Sequence, residues 1–274
     1  MSALFYKAWL ETRVRFLAGL IAVAIVCIFQ IEQHQTYYLP HLFGVRLGIP
    51  AYAWFLWQYL YVYFLQQVWV LFTVLLALDG LIREKASGTA AFSLGLPVSR
   101  RRWMFTRFVV VFMESAALSL FAVLVVIVGS AVVHQTFSLS QIFFHAVLLV
   151  AAGVIVIALG NLYYAVFPGN YRSLLVALAV LGIPYLWIQR HLPRTRVSDL
   201  PESLRAPLTL ALTASHTVAE PQLPWWRYFD LAHVMAGPWQ LSLSSTPWVA
   251  LMVIWALTVL VLALTAAYGD RVDY

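Results

Sequence analysis

Residues 83–103 read REKASGTAAFSLGLPVSRRRW, a short basic stretch between two long apolar runs. Five of the chain's 17 lysines and arginines lie in it, and Arg107 just beyond makes six. The rest of the chain is greasy. Its 274 residues are 63% hydrophobic and 10% charged, with a mean hydropathy of +0.84. A soluble domain carries roughly 25% charged residues. So little charge cannot clothe a water-facing surface of this size, so the expected solvent is lipid.

The formal net charge of +6 raises nucleic acid as a partner. The basic residues, however, gather at the ends of apolar runs, which is the pattern of membrane anchoring and not of a nucleic-acid face. The single cysteine, Cys27, excludes a disulfide within the chain and reads as a packing residue. Lys7, Arg13 and Arg15 precede the first apolar run, which ends in CIFQIEQHQ without a small-x-small cleavage pattern. It is expected to be a retained span and not a signal peptide.

A bilayer span takes roughly 20 apolar residues. Six segments qualify, at about 14–31, 60–81, 105–133, 142–167, 171–189 and 247–268, in one transmembrane domain covering 1–274. Pro168-Gly169-Asn170 reads as a tight turn, 134–141 as a short polar one, and Pro184 with Gly182 as a kink in the fifth span. Before the first span, Leu4, Phe5, Ala8, Trp9 and Thr12 share a helical face turned away from Lys7, Glu11 and Arg15. That pattern predicts a helix lying in the interface before the chain enters the membrane.

The distribution of basic residues gives orientation. With the N-terminus inside, Lys7, Arg13, Arg15, Arg83, Lys85, Arg100, Arg101, Arg102, Arg107, Arg172 and Arg271 fall inside. Of those outside (Arg46, Arg190, Arg194, Arg196, Arg205 and Arg227), five share one long loop, where the rule is weak. Both termini are thus expected in the cytoplasm. Aromatic belts follow: Tyr37, Tyr38, Trp54, Trp57, Tyr59, Tyr61 and Trp187 outside; Trp9, Trp103, Tyr163, Tyr164 and Tyr268 inside. In the outer loop 190–246, SLRAPLTLALTAS and PWWRYFDLAHVMAG are too short to span and too apolar to float free. They are expected to rest on the outer face or dip into it, covered by protein.

Catalytic signatures are absent. There is no GxxxxGK[ST] loop, no HExxH, no CxxC and no nucleophile elbow. The intramembrane polar residues are Glu114 in the third span, Gln66 and Gln67 in the second, and His145 near the outer end of the fourth, with Asp79 closing the second. A carboxyl in lipid is costly and marks a candidate functional site. Glu114, Gln66 and Gln67 form that candidate, equally readable as a hydrogen-bonded packing device.

The opening stretch has internal structure. Ser87-Gly88 breaks the chain, and Thr89 can cap a short helix through Leu94, with Phe92 and Leu96 as apolar knobs. Gly95 ends that helix, Leu96-Pro97-Val98 is extended, and Ser99 caps a helix that begins with Arg100. A plain hairpin needs none of this; a rigid knob pushed by a partner does.

On these residues, EKASGTAAFSLGLPVSRRRW resembles the loop of ABC-2-type transporter permeases, with Glu84, Gly88, Thr89, Pro97, Val98, Ser99 and Arg100 at the matching positions. Six spans, an interfacial N-terminal helix and a long outer loop are similar to that family's plan, while Ala90, Ala91 and Gly95 depart from it. The resemblance implies an all-α polytopic permease in which 82–103 is the coupling loop, with Glu84, Gly88, Thr89, Phe92, Leu94, Pro97, Ser99 and Arg100 seating it in a cleft of a separate ATP-binding cassette ATPase. That partner would hold the ATP and magnesium. A second permease chain, identical or related, would pair around a path made by the second and fifth spans. Export, a bacterial inner membrane and an apolar substrate such as a drug, lipid or peptide are the expectations; anionic headgroups are a further partner of Arg100, Arg101 and Arg102. Two other readings stand: a non-transporting anchor or regulator of an ATPase or signalling partner, and a membrane-embedded enzyme acting on lipid-linked substrates.

Overall fold

The computed structural model describes residues 2–37, 51–77, 100–135, 137–166, 231–238 and 246–269, and no strand occurs among them. Five of the described helical runs are long and apolar enough to cross a bilayer, at Leu4–Gln33, Tyr59–Ala77, Met104–Val132, Leu139–Tyr163 and Trp248–Tyr268. They correspond to the first, second, third, fourth and last expected spans. Among the described residues the chain is all-helical, and its long apolar helices make it a polytopic membrane protein. The expected span at 171–189, the turn at 168–170 and the kink at Pro184 lie outside the described residues.

Helix α1 runs unbroken from Ser2 to Tyr37, about 54 Å at 1.5 Å per residue. The separate interfacial helix expected at its start is not formed. No glycine or proline interrupts Ser2–Ala18. The Thr12 hydroxyl, 3.2 Å from the Ala8 and Trp9 carbonyls, adds side-chain bonding within that turn. The facing also differs from expectation. Leu4, Ala8 and Thr12 do share a face, but Lys7 and Glu11 line the same cleft against Thr106 and Arg107, while Tyr6 and Trp9 are exposed.

The second span is a continuous rod of three windings: α2 at Ala51–Phe55, a π-helix at Leu56–Leu65, and α3 at Gln66–Ala77. Phe55 and Gln66 at its joints keep right-handed helical angles. In the π winding, hydrogen bonds close from i to i+5, and inward positions recur every four to five residues. Leu56, Trp57, Leu60, Tyr61 and Leu65 are all buried. Trp57 and Tyr61 therefore face the core and do not form part of an interfacial belt, at 1% and 3% exposure.

Helix α4 covers Arg100–Val132 and α5 covers Leu139–Val166, joined by a tight turn in which His134 adopts φ 53°. The turn closes through Val133 N–H to Gly129 O and Gln135 N–H to Ser130 O. Helix α6, Leu231–Ala236, is short, and α7 runs Trp248–Gly269. Contacts fix the directions. Thr12 meets Glu114, Gly19 faces Leu118, and Ile31 faces Gly129, so α1 and α4 lie parallel. Gly153 faces Trp69 and Gly160 faces Ala77, so α3 and α5 are parallel too. That is the pattern of a chain stitching back and forth, in which helices two crossings apart share a direction.

Close approach drives this packing, as expected where lipid offers no hydrophobic force between helices. A Cβ at Gly160 would lie 2.6 Å from the Ala77 Cβ, backbone-fixed on the facing helix. At Gly129 it would meet only the mobile Ile31 Cδ1, at 2.5 Å. Gly160→Ala is expected to cost about 1–3 kcal/mol by overpacking and Gly129→Ala clearly less, read as unfolding of the detergent-solubilised protein; equal losses would contradict this packing.

Candidate functional site

Two polar clusters interrupt the apolar core, one at each end of the bundle. The first is at the basic end, where α3 finishes and α4 begins. The last described carbonyls of α3 receive donors from neighbouring helices, in a setting where lipid supplies none. Here two arginines supply the donors. Arg15 on α1 donates from Nη1 to the Leu75 carbonyl at 3.0 Å, and Arg107 on α4 donates from Nη2 to Ala77 at 3.1 Å. Both cations also sit at the negative end of the α3 dipole. Arg107 is only 4% exposed. It is therefore a structural cap within the bundle and not only a surface topological charge.

One turn and more deeper, Glu114 is buried at 5% exposure. Its Oε1 accepts from the Thr12 hydroxyl at 2.5 Å, and its Oε2 has no hydrogen-bond partner among the described residues. The neighbouring turn locks onto α3: Trp69 Nε1–H donates to Ser115 O at 2.9 Å, and Thr73 Oγ1–H to Ser115 Oγ at 3.3 Å.

The second cluster holds α6. Val234, Met235 and Ala236 are buried, and the Met235 methyl approaches Gly153. A helix this short cannot cross a bilayer, yet it packs beside the spans. Its carbonyls are taken by side chains: Gln66 Nε2–H donates to Ala232 O at 2.8 Å, and His145 Nδ1–H to Ala236 O at 2.8 Å. The carbonyl acceptor fixes the His145 tautomer, and the ring lies 5.2 Å from that of Tyr61. Gly237 at φ 66° then turns the chain out of the helix, a conformation open to glycine. Of the apolar piece 224–237, expected to rest on the outer face or dip into it, the described part 231–237 is packed against the spans.

Of the sequence-selected residues, Glu114 and Gln66 are not joined: Glu114 bonds Thr12, and Gln66 bonds α6. Gln67 is half-buried. Arg100 is the first residue of α4. Glu84, Gly88, Thr89, Phe92, Leu94, Pro97 and Ser99 lie outside the described residues. Thr12, Arg15, Ser115 and Tyr52 were not singled out as members of a polar site; Tyr52 shares a 2.7 Å hydrogen bond with Ser130. No local spacing connects residues 60 to 102 positions apart. Among the described residues, no three His, Cys, Asp or Glu side chains converge as a metal site would require.

Arg107→Met keeps the stem but removes the donor to Ala77. It is expected to destabilise by about 1–3 kcal/mol, the worth of a buried hydrogen bond from a charged donor, in thermal unfolding. In a Cys27→Ala background, a Met235→Cys thiol should label slowly, and adding Gln66→Leu or His145→Ala should speed labelling several-fold. Unchanged rates would remove those side chains from the anchoring of α6. No protein-family model and no curated protein sequence matches this chain.

Proposed function

We propose that this chain is the membrane-spanning permease subunit of an ABC-2-type transporter, working as an exporter with a separate ATPase. The observation that carries the reading is the sequence from Glu84 to Arg100, with Gly-Thr, an apolar stretch expected to be helical, Leu-Pro-Val-Ser and following arginines. The arrangement around that loop supports it. In sequence that stretch falls between α3, described to Ala77, and α4, described from Arg100. Those helices are tied to one another by Arg107 and to α1 by Arg15. In this reading a push transmitted to either helix reaches three spans at once.

In this reading the basic end faces the cytoplasm, as the basic residues of the short loops favour. Phe92 and Leu94 seat in the ATPase, which binds ATP and magnesium. Closure of two such ATPases about two permease chains drives a rigid-body rearrangement of the spans. The bundle interior offers mainly apolar surface, so the substrate class is a hydrophobic drug, lipid or peptide.

Phe92→Asp or Leu94→Asp is expected to abolish co-purification with an ATPase encoded beside this chain, while leaving the permease folded. Undiminished co-purification would overturn the coupling role. Stimulated ATPase activity without substrate movement in proteoliposomes would favour an anchor instead.

A further inference from the structure

We propose that Glu114 is a proton-binding site, loaded from the basic end of the bundle through a cleft beside Thr12, and that the Thr12 hydroxyl serves both of its protonation states. The inference does not rest on the permease reading.

Glu114 lies about 15 Å along α4 from Met104, where the apolar span begins. Its carboxyl is nine-tenths buried, has one oxygen unpartnered among the described residues, and forms no ion pair with any of them. The sole bond is to a neutral hydroxyl on another helix. A structural carboxylate in lipid is paired with a cation or several donors; among the described residues this one has neither.

Thr12 has one hydroxyl proton and three acceptors within reach: Glu114 Oε1 at 2.5 Å, and the carbonyls of Ala8 and Trp9 at 3.2 Å each. These bonds are alternatives. With Glu114 ionised, Thr12 donates to Oε1. With Glu114 protonated on Oε1, the carboxyl donates to Thr12 Oγ1, and the hydroxyl turns to Ala8 or Trp9. Each state leaves Thr12 satisfied, which a backbone-bonded threonine with no second acceptor could not offer.

The same threonine lines a cleft of about 10 Å³, room for one water molecule, walled by Lys7, Glu11, Thr106 and Arg107. These groups lie toward the basic end and give the cleft both signs of charge. The step balances as a relay. Hydronium in the cleft gives a proton to Thr12 Oγ1 and becomes water. Thr12 passes its original proton to Glu114 Oε1. One O–H bond forms at the carboxyl, its charge goes from −1 to 0, and no electrons change hands. Of the titratable and charged groups on α1 and α4, Lys7, Glu11 and Arg107 line the cleft and Arg15 reaches α3; Tyr6, Arg13 and Arg102 are exposed, Arg100 and Arg101 open α4, and Cys27, Glu32 and His34 lie far along α1. Helix α3 carries none. On α5, His145 is engaged by Ala236 at the opposite end, and Tyr163 lies toward the basic end.

The test treats the full-length protein in lipid nanodiscs with dicyclohexylcarbodiimide, which modifies protonated carboxyls in apolar surroundings, and maps the product by peptide mass. Glu114 is expected to be modified, less so as pH rises, and Glu114→Gln to abolish the product. Thr12→Val should move the midpoint of the pH profile by about one unit, and Thr12→Ser should leave it in place. An independent readout is the infrared stretch of a protonated carboxyl, present in the native protein and missing in Glu114→Gln; it stands even if Thr12→Val fails to fold. An unmodified Glu114 at every pH, or a profile indifferent to Thr12→Val, would sink the proposal. Protection by sodium at constant pH would also overturn it, in favour of a metal cation.

Discussion

The carbonyl end of α3 is the constraint on which the rest of the bundle turns. The carbonyls of Leu75 and Ala77 gain side-chain donors in surroundings where lipid supplies none. Arg15 and Arg107 answer this from two different helices, and in doing so fix where α1 and α4 stand relative to α3. Arginine suits the task because its planar fork presents several donors in fixed directions, keeps its charge, and holds water less tightly than an ammonium group. The register set there propagates along α4: Ser115 meets Trp69 and Thr73, and Ser119 donates to Ala146 of α5 at 2.9 Å.

The opposite end solves the same problem without charge. Gln66 and His145 donate to carbonyls of α6. Neutral donors there avoid the cost of desolvating ions far from an interface. Polar side chains in this bundle thus mostly serve backbone groups; Trp255 on α7 does likewise, donating to Ala151 O. Glu114 breaks the rule, since it offers only acceptors when ionised and finds one hydroxyl. This asymmetry sets it apart from Gln66, though both are buried polar groups within spans.

Long apolar runs made most of the architecture legible from sequence, because span length and hydropathy are local properties. What escaped was relational. Trp57 and Tyr61 read as belt residues because tryptophan and tyrosine prefer interfaces, but the π winding turned them inward, and nothing in LWQYLYVYFL announces that winding. Lys7 and Glu11 looked solvent-facing on an isolated helical wheel, yet a facing helix made a cleft of that side. Glu114 stood out in the sequence as costly; its partner did not, since a threonine in a helix is ordinary. Gln66 was visible as polar in lipid, but its acceptor is a main-chain carbonyl on α6, invisible to residue-type reasoning.

The parallel alignment of α1 and α4 bears on how the molecule is made. The ribosome delivers Thr12 to the membrane 102 residues ahead of Glu114. A newly inserted α1 therefore spends that interval with its hydroxyl and Arg15 lacking their final mates, and only later does α4 slide in alongside. The second crossing emerges between them and brings the Leu75 carbonyl, giving Arg15 a first hold. Assembly thus has a built-in sequence: the guanidinium clamp forms early, and the carboxyl is admitted to an already waiting cradle.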